Sequence, residues 1–180
     1  MAADVANPPC ALIVMGVSGS GKSTIAASLA ARLGWTFEDG DRFHPASNVA
    51  KMAAGHPLTD EDRWPWLAAI AEWIDKTRAS GGHGVIACSA LKRRYRDILI
   101  GDRVDVRLVY LKGDEALIAR RLAIRHEHFM PLSLLRSQFE VLEEPGRAEN
   151  PITVSIEPAP HEVVSRILSA LNTVEAAPAD

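Results

Sequence analysis

Hydrophobic positions fall into two rhythms along the chain. Apolar stretches at 11–15, 85–88 and 152–156, a short one at 35–37, and a run at 104–111 carrying charges at Asp105 and Arg107, read as strands. Between them, apolar residues return every three or four positions at 24–33, 46–54, 59–78, 114–125, 133–142 and 161–171, which is the helical period. Gly34 and Gly55 stand where helices stop, and Thr59 followed by Asp60, Glu61 and Asp62 caps the start of the longest one. On that helix Trp66, Ile70, Trp73 and Ile74 form a single stripe, expected to face the core. A further helix is entered at 89–94, after the strand at 85–88. Strands alternating with helices predict an α/β domain built on a parallel sheet.

Between the first strand and the first helix lies Gly16-Val17-Ser18-Gly19-Ser20-Gly21-Lys22-Ser23, then Thr24. It matches the phosphate-binding pattern G-x-x-x-x-G-K-[ST] in the strand, loop and helix setting that the pattern requires. Glycines let the backbone N–H groups of such a loop approach phosphate oxygens, and the positive end of the following helix faces the same anion. Residues 16–24 are therefore the predicted nucleotide cradle, with Lys22 reaching the β- and γ-phosphates and Ser23 on Mg²⁺. ATP and Mg²⁺ are the cofactors this loop implies.

Composition narrows the setting. A chain of 180 residues that is 47% hydrophobic can bury one sizeable core, so one domain is expected. Its net charge of −3 gives no reason to expect a nucleic-acid or membrane partner. The two cysteines, Cys10 and Cys88, adjoin predicted buried strands, where they act as small apolar residues rather than a disulfide. With no leader pattern and no membrane-length apolar run, a reduced cytoplasmic location is expected.

The polar residues after the second strand concentrate chemistry. In open parallel sheets ligands collect beyond the carboxyl ends of the strands, where Asp39-Gly40-Asp41 falls. Two carboxylates split by a glycine suit a metal role for one and a base role for the other, or simply a turn. His44 in the same loop reads equally as a structural hydrogen-bonding residue, and Arg63, in the first turn of the long helix, as an ordinary ion-pair partner. Cys88 and Ser89 end the third strand where many phosphate-loop enzymes place a metal-steadying aspartate, so the metal's second anchor must come from Asp39 or Asp41. Arg120, Arg121 and Arg125 end one helix, His126 to Pro131 form a turn, and a helix with Gln138 and Phe139 returns. That arrangement predicts a lid able to close over phosphates.

Taken together, these residues resemble the small bacterial-type gluconate kinases within the nucleoside and shikimate kinase group. The resemblance is carried by Met15 and the phosphate loop, Asp39-Gly40-Asp41 with His44-Pro45, and Pro57-Leu58 with Asp60, Asp62-Arg63 and Trp66-Leu67. It continues through Cys88-Ser89-Ala90-Leu91-Lys92, Tyr95-Arg96-Asp97, Tyr110-Leu111-Lys112-Gly113, His128-Phe129 and Gln138-Phe139-Glu140 with Glu144-Pro145. These landmarks cover nearly everything from 12 to 145, and none is found beyond 150.

The resemblance implies a P-loop NTPase fold with a five-stranded parallel sheet flanked by helices and a helical lid at about 121–140, within a kinase domain at 10–173 between tails at 1–9 and 174–180. It implies a homodimer and ATP-dependent phosphorylation of the C6 hydroxyl of D-gluconate. On this reading Lys22, Asp41, Arg121 and Arg125 are catalytic, Asp41 taking the hydroxyl proton and the arginines facing the phosphoryl group. Ser23 and Asp39 serve the metal, and Asp41, His44, Arg63, Lys92, His128 and Gln138 receive the acceptor. A kinase of another small acceptor, shikimate-like or a nucleoside monophosphate, shares the loop and topology. A nucleotide-dependent switch shares the loop alone.

Overall fold

The computed structural model describes residues 8–124 and 132–173. Its strands are β1 (Ala11–Met15), β2 (Thr36–Asp39), β3 (Gly84–Ala87), β4 (Val106–Lys112) and β5 (Ile152–Ser155). The helices are α1 (Lys22–Leu33), α2 (Ala46–Ala53), α3 (Asp60–Ala79), α4 (Arg93–Leu99), α5 (Glu115–Ile124), α6 (Leu132–Val141) and α7 (Pro160–Thr173). All strand pairings are parallel, in the order β2-β3-β1-β4-β5. From β1 the chain moves to the β2 side, and from β3 it crosses to the β4 side. The switch therefore falls between β1 and β3, where this class of sheet opens a crevice beyond the strand ends.

Strands β1 and β3 are apolar throughout, and β4 is mostly so, because both faces are covered. On one face Leu12, Val14, Val85, Ala87, Val109 and Leu111 pack with Ile25 and Leu29 of α1 and Ile167 of α7. On the other, Ile13, Met15, Ile86 and Leu108 meet Trp66, Leu67, Ile70 and Ile74 of α3 with Tyr95 and Leu99 of α4. The α3 stripe thus lies where its period puts it. Thr59 and Asp62 close a reciprocal capping box at its start, and Asp62 also pairs with Lys51 at 2.6 Å.

Boundaries moved in three informative places. Helix α1 begins at Lys22 rather than 24, because Gly21 takes the left-handed conformation (φ 90°) and turns the chain directly into the helix. Strand β2 runs on to Asp39, carried by its pairing with Ala87 of β3, so the first carboxylate of the acid pair ends the strand itself. Strand β4 starts at Val106, not 104. Val104 is 95% exposed, and Arg103, bonded to Asp75 and to the carbonyls of Ile98 and Leu99, holds the preceding turn away from the sheet. Within the expected amino-terminal tail, the Pro9 carbonyl accepts a hydrogen bond from His83 Nδ1 at 3.0 Å. The end of α5 and nearly all of α6 fall within the segment expected to form the lid, and Arg125 and His128 lie outside the described residues.

Candidate active site

The phosphate loop leaves β1 at Gly16 and enters α1 at Lys22. Gly19 is left-handed (φ 81°), and a Cβ there would meet Leu122 of α5 at 2.9 Å, so glycine is needed for conformation and for space. Helix α1 has no side-chain cap and no acid in its first turn, which leaves its N–H groups to an anion. Lys22 Nζ donates to Val17 O at 3.0 Å, lying along the loop it serves. Burial pulls its ammonium below the ordinary lysine value, while Asp41 and Asp39 act in the opposite sense. Ser20 is buried with its hydroxyl unpartnered among the described residues.

The acid pair sits against this loop. Ser23 Oγ donates to Asp39 Oδ2 at 2.8 Å, and Asp39 Oδ1 accepts the Asp41 N–H at 3.0 Å. Gly40 makes the approach possible: a Cβ there would lie 2.5 Å from Ala87 O of β3. Magnesium takes few protein ligands and prefers hard oxygens, keeping the rest for water and phosphate. The Ser23 hydroxyl and the Asp39 carboxylate supply that donor set. Cys88, at the end of β3, is an unsuitable metal ligand here, because burial pushes its thiol up to about 12.

A second group of side chains lies on the α3 and α4 side. The His44 ring stacks on Trp66 with centroids 4.3 Å apart, and Trp66 Nε1 donates to Gly40 O at 2.7 Å, tying the aromatic pair to the acidic turn. Burial lowers the His44 pKa, with Asp41 raising it and Arg63 lowering it. Arg63 lies over the Tyr95 ring at 5.6 Å and donates to Leu58 O, so it is fixed by a carbonyl and an aromatic face rather than by the expected carboxylate. Lys92 reaches Asp60 at 3.3 Å, and Arg94, on which the sequence patterns are silent, reaches it at 2.6 Å. The Tyr95 hydroxyl also donates to Asp60 and is the main cause of that carboxyl's lowered pKa, with Lys92 and Arg94 adding to it. Arg63, Lys92 and Arg94 thus gather around one carboxylate and one aromatic ring, leaving an excess of positive charge.

Two predicted residues have protein partners that the sequence did not indicate. Gln138 was expected in the acceptor pocket. Its side chain bonds the phosphate loop, Oε1 accepting the Ser18 N–H at 2.7 Å and Nε2 donating to Ser18 Oγ at 3.0 Å. Arg121 was expected over the migrating phosphoryl group. It is drawn to the carbonyls of Ile156 (2.5 Å) and Glu157 (3.3 Å), where the chain passes from β5 to α7. There it lines a cavity of about 370 Å³ with Gly19, Gly21, Thr24, Leu122 and Pro158. Pro158 and Leu122 carry no motif signal, and only the fold brings them to the loop.

A buried pair braces this architecture. Arg96 and Glu149 are 1% and 6% exposed and 2.5 Å apart, and Arg96 also donates to the carbonyls of Ala90 and Leu91. Ala90 is held at positive φ (45°), so Arg96 ties down the turn that delivers Lys92.

Known proteins are similar to this chain. A family model described as an AAA domain matches residues 12–145. The gluconokinase of Gluconobacter oxydans strain 621H is 49% identical over 161 residues, covering 89% of this chain and 90% of that one. The thermoresistant gluconokinase of Escherichia coli strain K12 is 44% identical over 142 residues, covering 79% and 81%. A solved gluconokinase from Sinorhizobium meliloti 1021 superimposes with a TM-score of 0.84 at 44% identity, covering 92% of this chain and 93% of that one. Loop, acid pair, sheet order and extended similarity agree, and the chain belongs to the gluconokinase family of P-loop kinases.

Proposed function

We propose that this protein transfers the γ-phosphoryl group of ATP to the C6 hydroxyl of D-gluconate, giving 6-phospho-D-gluconate and ADP. The observation that carries this reading is the 2.8 Å contact between Ser23 and Asp39, whose second oxygen holds the Asp41 N–H. It supports an acid pair, Asp39 and Asp41, beside a loop built for polyphosphate, with both carboxylates within electrostatic reach of Lys22.

Phosphoryl transfer asks a protein for alignment and for positive charge around the migrating group. The loop amides and the first turn of α1 hold the β- and γ-phosphates, and Lys22 turns from Val17 O to the anion, which relieves the burial of an ammonium. The C6 oxygen forms a bond to phosphorus as the bond to the β-phosphate oxygen breaks, and Asp41 orients the hydroxyl and accepts its proton. Ser23 and Asp39 would hold Mg²⁺, which when bound would neutralise charge on the phosphates. The gluconate carboxylate and hydroxyls meet Arg63, Lys92 and His44, beside the aspartate that Lys92 and Arg94 share. Arg125 and His128, which lie outside the described residues, are assigned to the same site by the family resemblance alone. The nucleoside of ATP takes the cavity lined by Gly19, Thr24, Arg121 and Pro158, giving Arg121 a nucleotide-holding role. Among the described residues no helix is long and apolar enough to cross a membrane. The family resemblance further supports a cytoplasmic homodimer.

The test is coupled ADP release with Mg²⁺-ATP and a panel of gluconate, other aldonates, shikimate and nucleoside monophosphates. Gluconate should accelerate release far above the rest. Preference for another acceptor would overturn the substrate assignment, and release indifferent to every acceptor would overturn the kinase reading.

A further inference from the structure

Asn48, on α2, is 2% exposed and uses both hydrogens of its side-chain amide. Nδ2 donates to the main-chain carbonyl of Asp62 at 2.9 Å and lies 3.2 Å from His44 Nδ1. A carbonyl oxygen can only accept, so the first contact fixes which end of the amide is nitrogen. An amide nitrogen has no lone pair to offer, so in the second contact it must donate and His44 Nδ1 must accept. A neutral imidazole with an accepting Nδ1 carries its proton on Nε2.

The ring has little room to escape this arrangement. It is stacked on Trp66 with an interplanar angle of 13°, Trp66 is anchored to Gly40 O, and the His44 N–H donates to Asp41 O at 3.3 Å. Placing a second proton on the ring would set an Nδ1–H against the Asn48 N–H, two donors face to face. The charged side chains that act on the ring are Asp41, which favours its protonation, and Arg63, which opposes it.

We infer that Asn48 is a positioning residue that locks His44 in its Nε2–H tautomer, making His44 a hydrogen-bond donor to the acceptor substrate and excluding it as the base. This rests on the reading of His44 as an acceptor-pocket residue. Two groups that could take a proton, His44 and Asp41, stand side by side in this site. With Nε2 already protonated and the Nδ1 lone pair engaged by Asn48, the imidazole has no free lone pair to receive the hydroxyl proton, and that role falls to Asp41. The same lock selects the acceptor, because an Nε2–H is satisfied by a carboxylate or hydroxyl oxygen and by no cationic group.

The test combines ¹⁵N imidazole NMR of the full-length protein with steady-state kinetics, His44 being assigned by loss of its signals in His44→Gln. The wild type should show an unprotonated Nδ1 and a protonated Nε2. Asn48→Asp puts an accepting carboxylate against Nδ1, and should move the proton to Nδ1 and raise the gluconate KM by about tenfold or more, with the ATP KM within about twofold. Asn48→Ala should mix the tautomers and raise the gluconate KM in the same direction, which serves where the aspartate variant fails to fold. His44→Gln retains a donor at the Nε2 position and should keep a lower gluconate KM than His44→Ala. A wild-type ring protonated at Nδ1, or an unchanged gluconate KM in a folded Asn48→Ala protein, would overturn the inference. If wild-type turnover requires a different acceptor, the substrate assignment fails alone, and the lock is judged by the NMR signals and the KM for that acceptor.

Discussion

Gln138 and Ser18, 120 residues apart, are joined by two hydrogen bonds that make helix α6 part of the phosphate loop's support. With Oε1 on the Ser18 N–H, that amide is already satisfied by protein, and the loop is braced from the side where α5 and α6 pack.

Losing two such bonds removes roughly 1–3 kcal/mol of support from the loop, so Gln138→Ala should weaken nucleotide binding rather than acceptor binding. The expected result is an ATP KM raised about tenfold with the gluconate KM within about twofold. A rise confined to the gluconate KM would return Gln138 to the acceptor pocket.

Arg121 leads to a similar separation. Bonded to the Ile156 and Glu157 carbonyls beside the nucleotide cavity, it should matter for holding ATP. Arg121→Ala should raise the ATP KM while kcat falls less than about tenfold. A loss of about a thousandfold in kcat, the scale of an arginine facing the transferring phosphoryl group, would place it over that group instead.

Arg96 and Glu149 form the most deeply buried ion pair of the described residues. Removing one partner leaves an uncompensated buried charge, so Glu149→Ala should cost about 3–5 kcal/mol of stability. For a domain of this size that corresponds to a fall of roughly 6–20 °C in melting temperature, measurable by calorimetry. A loss under about 1 kcal/mol would mean that the pair is solvated.

Asp62 gives a pH dependence with a definite sign. Its bond to Lys51, then the Thr59 N–H, lowers its pKa from 3.8 to about 2. A carboxyl depressed by folding contributes stability above its unfolded value, and that contribution is lost as pH falls toward its folded value. The melting-temperature gap between wild type and Asp62→Asn should therefore be constant above pH 5, shrink from about pH 4, and close near pH 2. A gap that widened on acidification would contradict the assignment.

What could be read from the residues alone was whatever is written in local conformation or period. The loop declares itself because its glycines, lysine and serine act within one turn of chain, and the α3 stripe because its period is helical. Asp39 and Asp41 were placed near the ligand by topology, yet only the structure shows Gly40 against Ala87 O, the contact that brings Asp39 onto Ser23. The partners of Gln138, Arg121 and Asn48 were not legible, because they lie on other elements. Arg96 reads as one more cation in a basic helix, and its burial depends on Glu149, 53 residues later. An arginine-rich helix end looks the same in sequence whether it faces a phosphate or a pair of carbonyls.

The most direct measurement is Asp41→Asn, assayed for gluconate-dependent ADP release alongside calorimetric binding of Mg²⁺-ATP to the same folded protein. The account predicts that kcat falls by about 10²–10⁴ while the nucleotide dissociation constant stays within about twofold. Near-normal turnover in that variant would contradict it.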